Sequence, residues 1–84
     1  IDAVDLLREL IQFDTTNPPG NEEACVAHIE SLLREHGIES QRFEQVPGRP
    51  NLVAHHAGAN GGPPLVLYGH VDVVTTVGQQ WTKP

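Results

Sequence analysis

His70 and Asp72 are the two side chains of this sequence whose types and spacing best suit metal chemistry. A neutral imidazole is a good ligand for a divalent metal, and a ligating histidine commonly donates its other ring N–H to a carboxylate, which fixes the tautomer. Residues i and i+2 of an extended segment point to the same side, so the Asp72 carboxylate can reach the His70 ring. The spacing alone leaves a second interpretation open, namely a strand-end histidine capped by an aspartate without any metal.

The segment Pro64–Val74, which carries this pair, is predicted to be a buried strand. Its four apolar residues before Gly69 follow a pair of prolines, a pattern typical of a strand covered on both faces inside a parallel sheet. Gly69 lets the backbone leave the strand, so that His70 and Asp72 fall at its carboxyl end. Open α/β sheets bind their ligands at that edge. We therefore expect the functional site there.

Two amphipathic helices are predicted ahead of that strand. The first runs from Ile1 to about Phe13, and Asp2 suits its N-cap position. The second runs from Asn21 to His36, with Asn21 as the N-cap and Gly37 as the left-handed residue after the last turn. Two prolines and a glycine in residues 18–20 cannot continue a helix, so a structured loop separates the two.

A β-hairpin is predicted between the second helix and the buried strand. Its strands are Ile38–Val46 and Asn51–Ala57, joined by the turn Pro47–Pro50. His55 and His56 lie in the second strand, but adjacent strand residues face opposite ways, so the two are poorly placed to bind one ion together. The remaining residues with reactive or large side chains are expected to have ordinary structural roles: Cys25, His28, His36 and Trp81.

Composition narrows the classes of partner. Eleven acidic residues against five basic ones give a net charge of −6, and without a Lys/Arg cluster neither nucleic acid nor an anionic membrane is an expected partner. No apolar run approaches the ~20 residues of a membrane-spanning helix, and no secretory leader is visible. The single cysteine, Cys25, excludes an internal disulfide framework and fits a reducing compartment, so we expect a cytoplasmic location.

Three segments, in chain order, resemble a known family. Leu65–Val74 is similar to the first metal-site signature of the zinc aminoacylase, acetylornithine deacetylase, succinyl-diaminopimelate desuccinylase and glutamate carboxypeptidase superfamily. Thr16–Glu22 resembles the loop between the first two helices of those proteins, and Trp81–Pro84 resembles their Trp-Thr-x-x-Pro-Phe segment. The departures are Thr75, where many members have proline, and Thr15-Thr16, where a serine is commoner. They bear on substrate choice and leave metal binding unaffected.

The resemblance implies an α/β fold, in which a mixed sheet is flanked by helices in a zinc-exopeptidase-like (phosphorylase/hydrolase-like) catalytic domain. Residues 1–84 would be its N-terminal part, and a lid and dimerisation domain, through which the parent forms a homodimer, would lie outside the chain. The resemblance also implies that His70 ligates one of two zinc ions, with Co²⁺ or Mn²⁺ as alternatives. Asp72 would be the catalytic-site acid that orients the imidazole. The implied reaction is hydrolysis of an amide bond of an N-acyl amino acid or small peptide by metal-bound water.

Two other interpretations stay open on the sequence. One is a non-catalytic family relative that serves as a binding or scaffold protein, and the other is a small structural α/β module without metal. The glutamate general base and the remaining ligands of the family pattern are not found in these 84 residues. We therefore expect the chain alone to be inactive and to bind zinc weakly, since one histidine and one supporting carboxylate fall short of the usual four ligands.

Overall fold

The computed structural model describes residues 2–82. Within this range the elements are, in order, α1 (Ala3–Leu10), α2 (Glu23–Glu35), β1 (Ser40–Phe43) and β2 (Asn51–Ala54). The chain is thus a small α/β arrangement, as predicted. The predicted mixed sheet is not formed, because the only sheet within residues 2–82 is the antiparallel pair β1–β2.

Helix α1 is capped as its sequence predicts but is shorter. The Asp2 carboxylate accepts hydrogen bonds from the backbone N–H groups of Val4 (2.7 Å) and Asp5 (3.3 Å), which are otherwise without partners in a first turn. The helix ends at Leu10 rather than Phe13, and its predicted first residue, Ile1, lies outside the described residues. None of its residues is buried. Its apolar side chains are therefore left largely exposed.

Helix α2 begins at Glu23, and its N-cap position is occupied by Glu22 rather than by the predicted Asn21. Asn21 still contributes, because its side-chain oxygen accepts from the Glu23 N–H at 3.3 Å. Glu22 makes no side-chain cap hydrogen bond, since its carboxylate is engaged by Arg49 instead. The N-cap prediction is therefore wrong by one residue, and a tertiary ion pair accounts for the difference.

The end of α2 matches the prediction. Gly37 has φ +75°, the left-handed conformation that favours glycine after a helix. The Ile38 N–H donates to the Leu33 carbonyl at 2.9 Å, and the Gly37 N–H donates to the Arg34 carbonyl at 3.0 Å. These two bonds satisfy carbonyls that the helix itself leaves without partners.

The buried centre of the described residues lies on α2. Cys25 and Val26 are its buried apolar residues, and burial raises the pKa of the Cys25 thiol. Such a thiol is inert, which agrees with the structural role predicted for Cys25. Three larger apolar residues of the same helix are half-buried: Ile29, Leu32 and Leu33.

The hairpin forms in the predicted antiparallel sense with shorter strands. Ser40 pairs with Ala54 and Phe43 with Asn51. Arg42, on the half-buried face of β1, donates to both oxygens of Glu23 (2.7 and 2.8 Å) and of Glu30 (3.1 and 3.2 Å). The hairpin is therefore held against α2 by a guanidinium between two carboxylates.

The predicted buried strand over Pro64–Val74 is wrong for this structure. Leu65, Val66, Leu67 and Tyr68 are 77–99% exposed, and the segment's one bridge is an isolated parallel pairing of Val73 with Thr16. A strand needs a neighbour for its backbone and cover for its side chains. Residues 2–82 supply a backbone neighbour only around Val73, through Thr15 and Asn17, and leave the apolar side chains of residues 65–68 exposed. Trp81 is 66% exposed, so within residues 2–82 it does not have the structural role expected of it. Lys83 and Pro84 lie outside the described range.

No helix in the described part of the chain is long and apolar enough to cross a membrane.

Candidate functional site

The His70 and Asp72 side chains lie in direct contact. The His70 Nδ1 atom is 2.8 Å from Asp72 Oδ1 and 2.9 Å from the Asp72 main-chain oxygen. Both of these oxygens are acceptors when the carboxyl is ionised, so Nδ1 must be the donor. A neutral ring then carries its lone pair on Nε2. Because the His70 side chain is 82% exposed, this nitrogen is on an accessible ring.

Asp72 is held by more than the histidine. Its second oxygen, Oδ2, accepts from the Asn17 side-chain amide at 3.1 Å and lies 3.4 Å from Arg49 Nη2. The Asn17 hydrogen bond, with smaller contributions from His70 and the Arg49 charge, holds the pKa of Asp72 below its ordinary value against the opposing effect of burial. Asp72 is therefore a carboxylate at neutral pH, which is the state in which it accepts from His70.

The loop between α1 and α2 holds the backbone on both sides of Asp72. The Thr15 hydroxyl donates to the Val71 carbonyl at 2.6 Å. The Val73 N–H donates to the Thr15 carbonyl at 3.1 Å, and the Asn17 N–H donates to the Val73 carbonyl at 2.8 Å. Thr15 is only 4% exposed. The site is thus positioned by a loop that lies more than fifty residues away in sequence.

Arg49, in the hairpin turn, connects Asp72 to the start of α2. Its Nε and Nη2 atoms donate to the Glu22 carboxylate, with the shortest distance 2.8 Å from Nη2 to Oε1. Glu22 is 6% exposed, and a buried carboxylate is tolerated when it is paired and hydrogen-bonded. The hydrogen bonds to Glu22 raise the pKa of Arg49.

The structure separates the other histidines from this pair. His28 Nε2 is 3.2 Å from Glu9 and its ring lies 5.4 Å from that of Phe13, while His36 Nδ1 is 2.9 Å from the Leu32 carbonyl. His55 and His56 follow β2 in exposed positions. The structural roles predicted for His28 and His36 agree with these contacts.

The pair offers a divalent metal one good ligand, His70, and a carboxylate, Asp72, that orients this ligand. Within residues 2–82 no group of three or more histidine, cysteine, aspartate or glutamate side chains could hold a metal ion. The donors present nevertheless fit part of a metal site, because His70 offers Nε2 while its other nitrogen is bonded to a carboxylate, the usual arrangement around a metal-ligating histidine. Both oxygens of Asp72 are engaged by protein donors, which suits a supporting role.

A cleft of about 660 Å³ lies beside the pair, between α2, the hairpin and residues 68–72. His70 and Asp72 contribute to its lining, together with Glu22 and Arg49. Its remaining wall is largely apolar and includes Val26, Ile29, Leu33, Val46 and Leu52. Charged groups and an apolar wall therefore meet in one concave surface.

Sequence reasoning found His70 and Asp72 but missed Asn17 and Arg49 as their neighbours. In the sequence Asn17 is only a loop residue before a proline, and Arg49 only a residue of the hairpin turn. Their proximity to Asp72 depends on distant parts of the chain coming together. The signal that could have indicated them was a polar loop together with an arginine in a turn, in a chain with only five basic residues.

Comparison with known proteins shows similarity over almost the entire chain. It is 36% identical over 74 residues (88% of the chain) to a succinyl-diaminopimelate desuccinylase of Wolbachia pipientis. It is 31% identical over 81 residues (95% of the chain) to aminoacylase-1 of Sus scrofa, and 32% identical over 75 residues (86% of the chain) to N-formyl-4-amino-5-aminomethyl-2-methylpyrimidine deformylase of Bacillus subtilis. The chain spans only 18–20% of the length of these relatives.

These relatives form one class, since each is named for an enzyme that acts on an acyl group. The chain belongs to the superfamily of succinyl-diaminopimelate desuccinylases and aminoacylases, and the family resemblance predicted from its motifs is confirmed. No family model matches the chain, and no solved structure matches it.

Proposed function

We propose that this chain is part of a metal-dependent hydrolase that cleaves the amide bond of N-acyl amino acids or small peptides, and that His70 is one of its metal ligands. The observation that carries the proposal is the 2.8 Å contact of His70 Nδ1 with Asp72 Oδ1 on an otherwise exposed ring. Membership of a superfamily that includes desuccinylases and an aminoacylase supports the type of bond.

In this proposal the described residues bind and orient, and other parts of the protein complete the site. Asp72 keeps the Nδ1 proton of His70 in place, which leaves Nε2 for a cation. Zinc suits an imidazole ligand, with Co²⁺ or Mn²⁺ as alternatives. A divalent ion bound there would supply polarisation of the scissile carbonyl and activation of water. The general base and the further ligands would come from outside this chain.

The proposal extends to the architecture of the whole protein. These residues would form the N-terminal part of a zinc-exopeptidase-like catalytic domain, and a separate domain would act as a lid and form the homodimer. The segment Pro64–Val74 would then be an inner strand of a larger mixed sheet, consistent with its apolar sequence. A small N-acyl substrate and a cytoplasmic location belong to the same proposal.

The first test is the effect of a chelator on the full-length protein. We expect it to hydrolyse at least one of a panel of N-acetyl, N-succinyl and N-formyl amino acids and dipeptides. We further expect that chelation abolishes the activity and that added Zn²⁺, Co²⁺ or Mn²⁺ restores it. Hydrolysis that persists in the metal-free protein would contradict the proposal. Stoichiometric metal binding without hydrolysis of any substrate would contradict the enzymatic part and favour a binding protein.

The second test is a matched pair of histidine variants of the full-length protein. His70→Ala is expected to reduce metal content and to lower kcat/KM more than about 100-fold, because it removes a ligand and not merely its support. His56→Ala removes an exposed histidine that follows β2 and should change neither quantity. Equal metal content and equal rates in the two variants would exclude His70 as a ligand.

A further inference from the structure

His70 depends on Asp72 for its orientation. Its side-chain hydrogen bonds within the described residues are the two from Nδ1 to the Asp72 oxygens Oδ1 and O, and its side chain is 82% exposed. An imidazole this exposed is held mainly by its hydrogen bonds, so the two Asp72 oxygens together fix the ring and its tautomer. Of the two, only Oδ1 turns away when the carboxylate rotates. Any group that fixes the Asp72 carboxylate therefore acts on His70 as well.

An aspartate carboxylate is not fixed by one hydrogen bond. The terminal torsion of aspartate is broad and roughly two-fold, so Oδ1 can turn away from His70 unless Oδ2 is also held. Two donors hold it: the Asn17 amide at 3.1 Å and the Arg49 guanidinium at 3.4 Å. We propose that Asn17 and Arg49 are positioning residues for His70, acting through Oδ2 of Asp72.

Asn17 is itself fixed in register with Asp72. Its backbone N–H donates to the Val73 carbonyl at 2.8 Å, and Thr15 binds Val71 and Val73, which flank the aspartate. The amide of Asn17 is thus held beside Asp72 by the hydrogen bonds of the neighbouring backbone. The backbone hydrogen bond sets the position of Asn17, and its side-chain amide donates to the Asp72 carboxylate.

Arg49 is fixed from the opposite side. The Glu22 carboxylate accepts from both Nε and Nη2, which uses the planar fork of the guanidinium. Gly20 lies against the same group, since a Cβ at that position would be 2.6 Å from Arg49 Nε. The guanidinium is therefore confined between Glu22 and Gly20, with Nη2 directed to Asp72.

The inference rests on the proposed function only for the reason why His70 is positioned, which is to keep its Nε2 available to a cation. The positioning can be measured without metal or substrate. In metal-free full-length protein labelled with ¹⁵N-histidine, long-range ¹H–¹⁵N correlations report which nitrogen of His70 carries the proton. We expect the Nδ1–H tautomer in the parent protein. Asn17→Ala and Arg49→Lys should each shift His70 toward the Nε2–H tautomer that free histidine favours in water.

A matched control separates positioning from general loss of structure. Arg42 is also a hairpin arginine that is paired with two carboxylates, and its side chain is 28% exposed against 34% for Arg49. Its hydrogen bonds go to Glu23 and Glu30 and not to Asp72. Lysine keeps the charge and loses the fork in both cases. Arg42→Lys should therefore leave the His70 tautomer unchanged.

Metal binding gives a second readout. Groups that orient a metal ligand typically contribute 10–100-fold in metal affinity, so Asn17→Ala and Arg49→Lys should weaken Zn²⁺ binding by about that factor, and Arg42→Lys should not. An unchanged Nδ1–H tautomer in both Asn17→Ala and Arg49→Lys would overturn the inference. A shifted tautomer in a protein that binds no metal would support the positioning and contradict the proposed function, so the two failures are distinguishable.

Discussion

At the scale of single residues, Arg49 lies between two carboxylates and contacts one of them more closely than the other. Its Nη2 is 2.8 Å from Glu22 Oε1 but 3.4 Å from Asp72 Oδ2. Glu22 is the buried member, whereas Asp72 also has Asn17. The guanidinium thus mainly compensates the buried charge of Glu22 and contributes a weaker interaction to Asp72. Asn17 is correspondingly the largest cause of the lowered pKa of Asp72.

This division predicts a difference between two neighbouring glutamates. Glu22→Gln removes the charge partner of a half-buried arginine. It is expected to lower the free energy of unfolding of the full-length protein by about 1.5–3 kcal/mol, the range for hydrogen bonds to charged groups. Glu23 is a partner of Arg42, and the Glu23 side chain is 47% exposed. Glu23→Gln should therefore lower the free energy of unfolding by less than about 1 kcal/mol. Denaturant unfolding of both variants measures the difference. Equal losses would show that burial of Glu22 has no energetic consequence.

Prediction from sequence succeeded at the residue scale where the chemistry is local. Asp72 reaches His70 across two residues, and Asp2 caps the turn that follows it, so spacing alone was sufficient. Asn17 and Arg49 could not be found in this way. Their partner Asp72 is separated from them by 55 and 23 positions respectively, and only the tertiary path of the chain brings them to one carboxylate.

At the scale of elements, the turn before α2 is constrained by its packing as well as by its backbone. Gly20 and Gly37 both have positive φ, +83° and +75°. A Cβ at Gly20 would meet Arg49 Nε at 2.6 Å, whereas a Cβ at Gly37 would meet nothing within 4 Å. The two glycines therefore share the conformational requirement and differ in their surroundings.

Substitution of these glycines separates the two effects. Gly37→Ala should cost about 1–2 kcal/mol, the cost of a left-handed conformation for a residue with a Cβ. Gly20→Ala should cost more, because it also displaces Arg49 from Glu22, and only this variant should shift the His70 tautomer. Denaturant midpoints and the histidine ¹⁵N spectrum of full-length variants provide the measurements. A Gly37→Ala variant that shifts the tautomer as strongly would contradict the proposed link from Gly20 through Arg49.

The elements also show where sequence patterns are sufficient. The end of α2 at Gly37 and the hairpin around residues 47–50 follow from local turn chemistry and were predicted. The segment Pro64–Val74 was predicted as a buried strand from apolar residues alone. Such a pattern indicates that the segment can be buried on both faces. It does not indicate which strands pair with the segment or which residues pack on it. Within residues 2–82 its backbone is paired only around Val73, and Tyr68 is 99% exposed.

At the scale of the whole molecule, the described residues bury little. The radius of gyration is 15.2 Å, whereas a compact domain of this length has about 12 Å. The accessible surface is 7360 Å², whereas a compact monomer of this mass exposes about 4,900 Å². Cys25 and Val26 are the buried apolar residues of the described range. A chain with this much exposed surface is expected to need further structure to cover it.

The 84-residue chain on its own is therefore expected to unfold without a cooperative transition. Its urea m-value should fall below about 1 kcal/mol/M, the lower end for small domains, because m scales with the surface that unfolding exposes. A dye that binds exposed apolar surface should bind to the chain without denaturant and be excluded by the full-length protein. A sharp transition with an m-value above about 1 kcal/mol/M would contradict this expectation. In that case the chain would have to cover Leu65–Tyr68 with its own residues, as a strand paired with the hairpin.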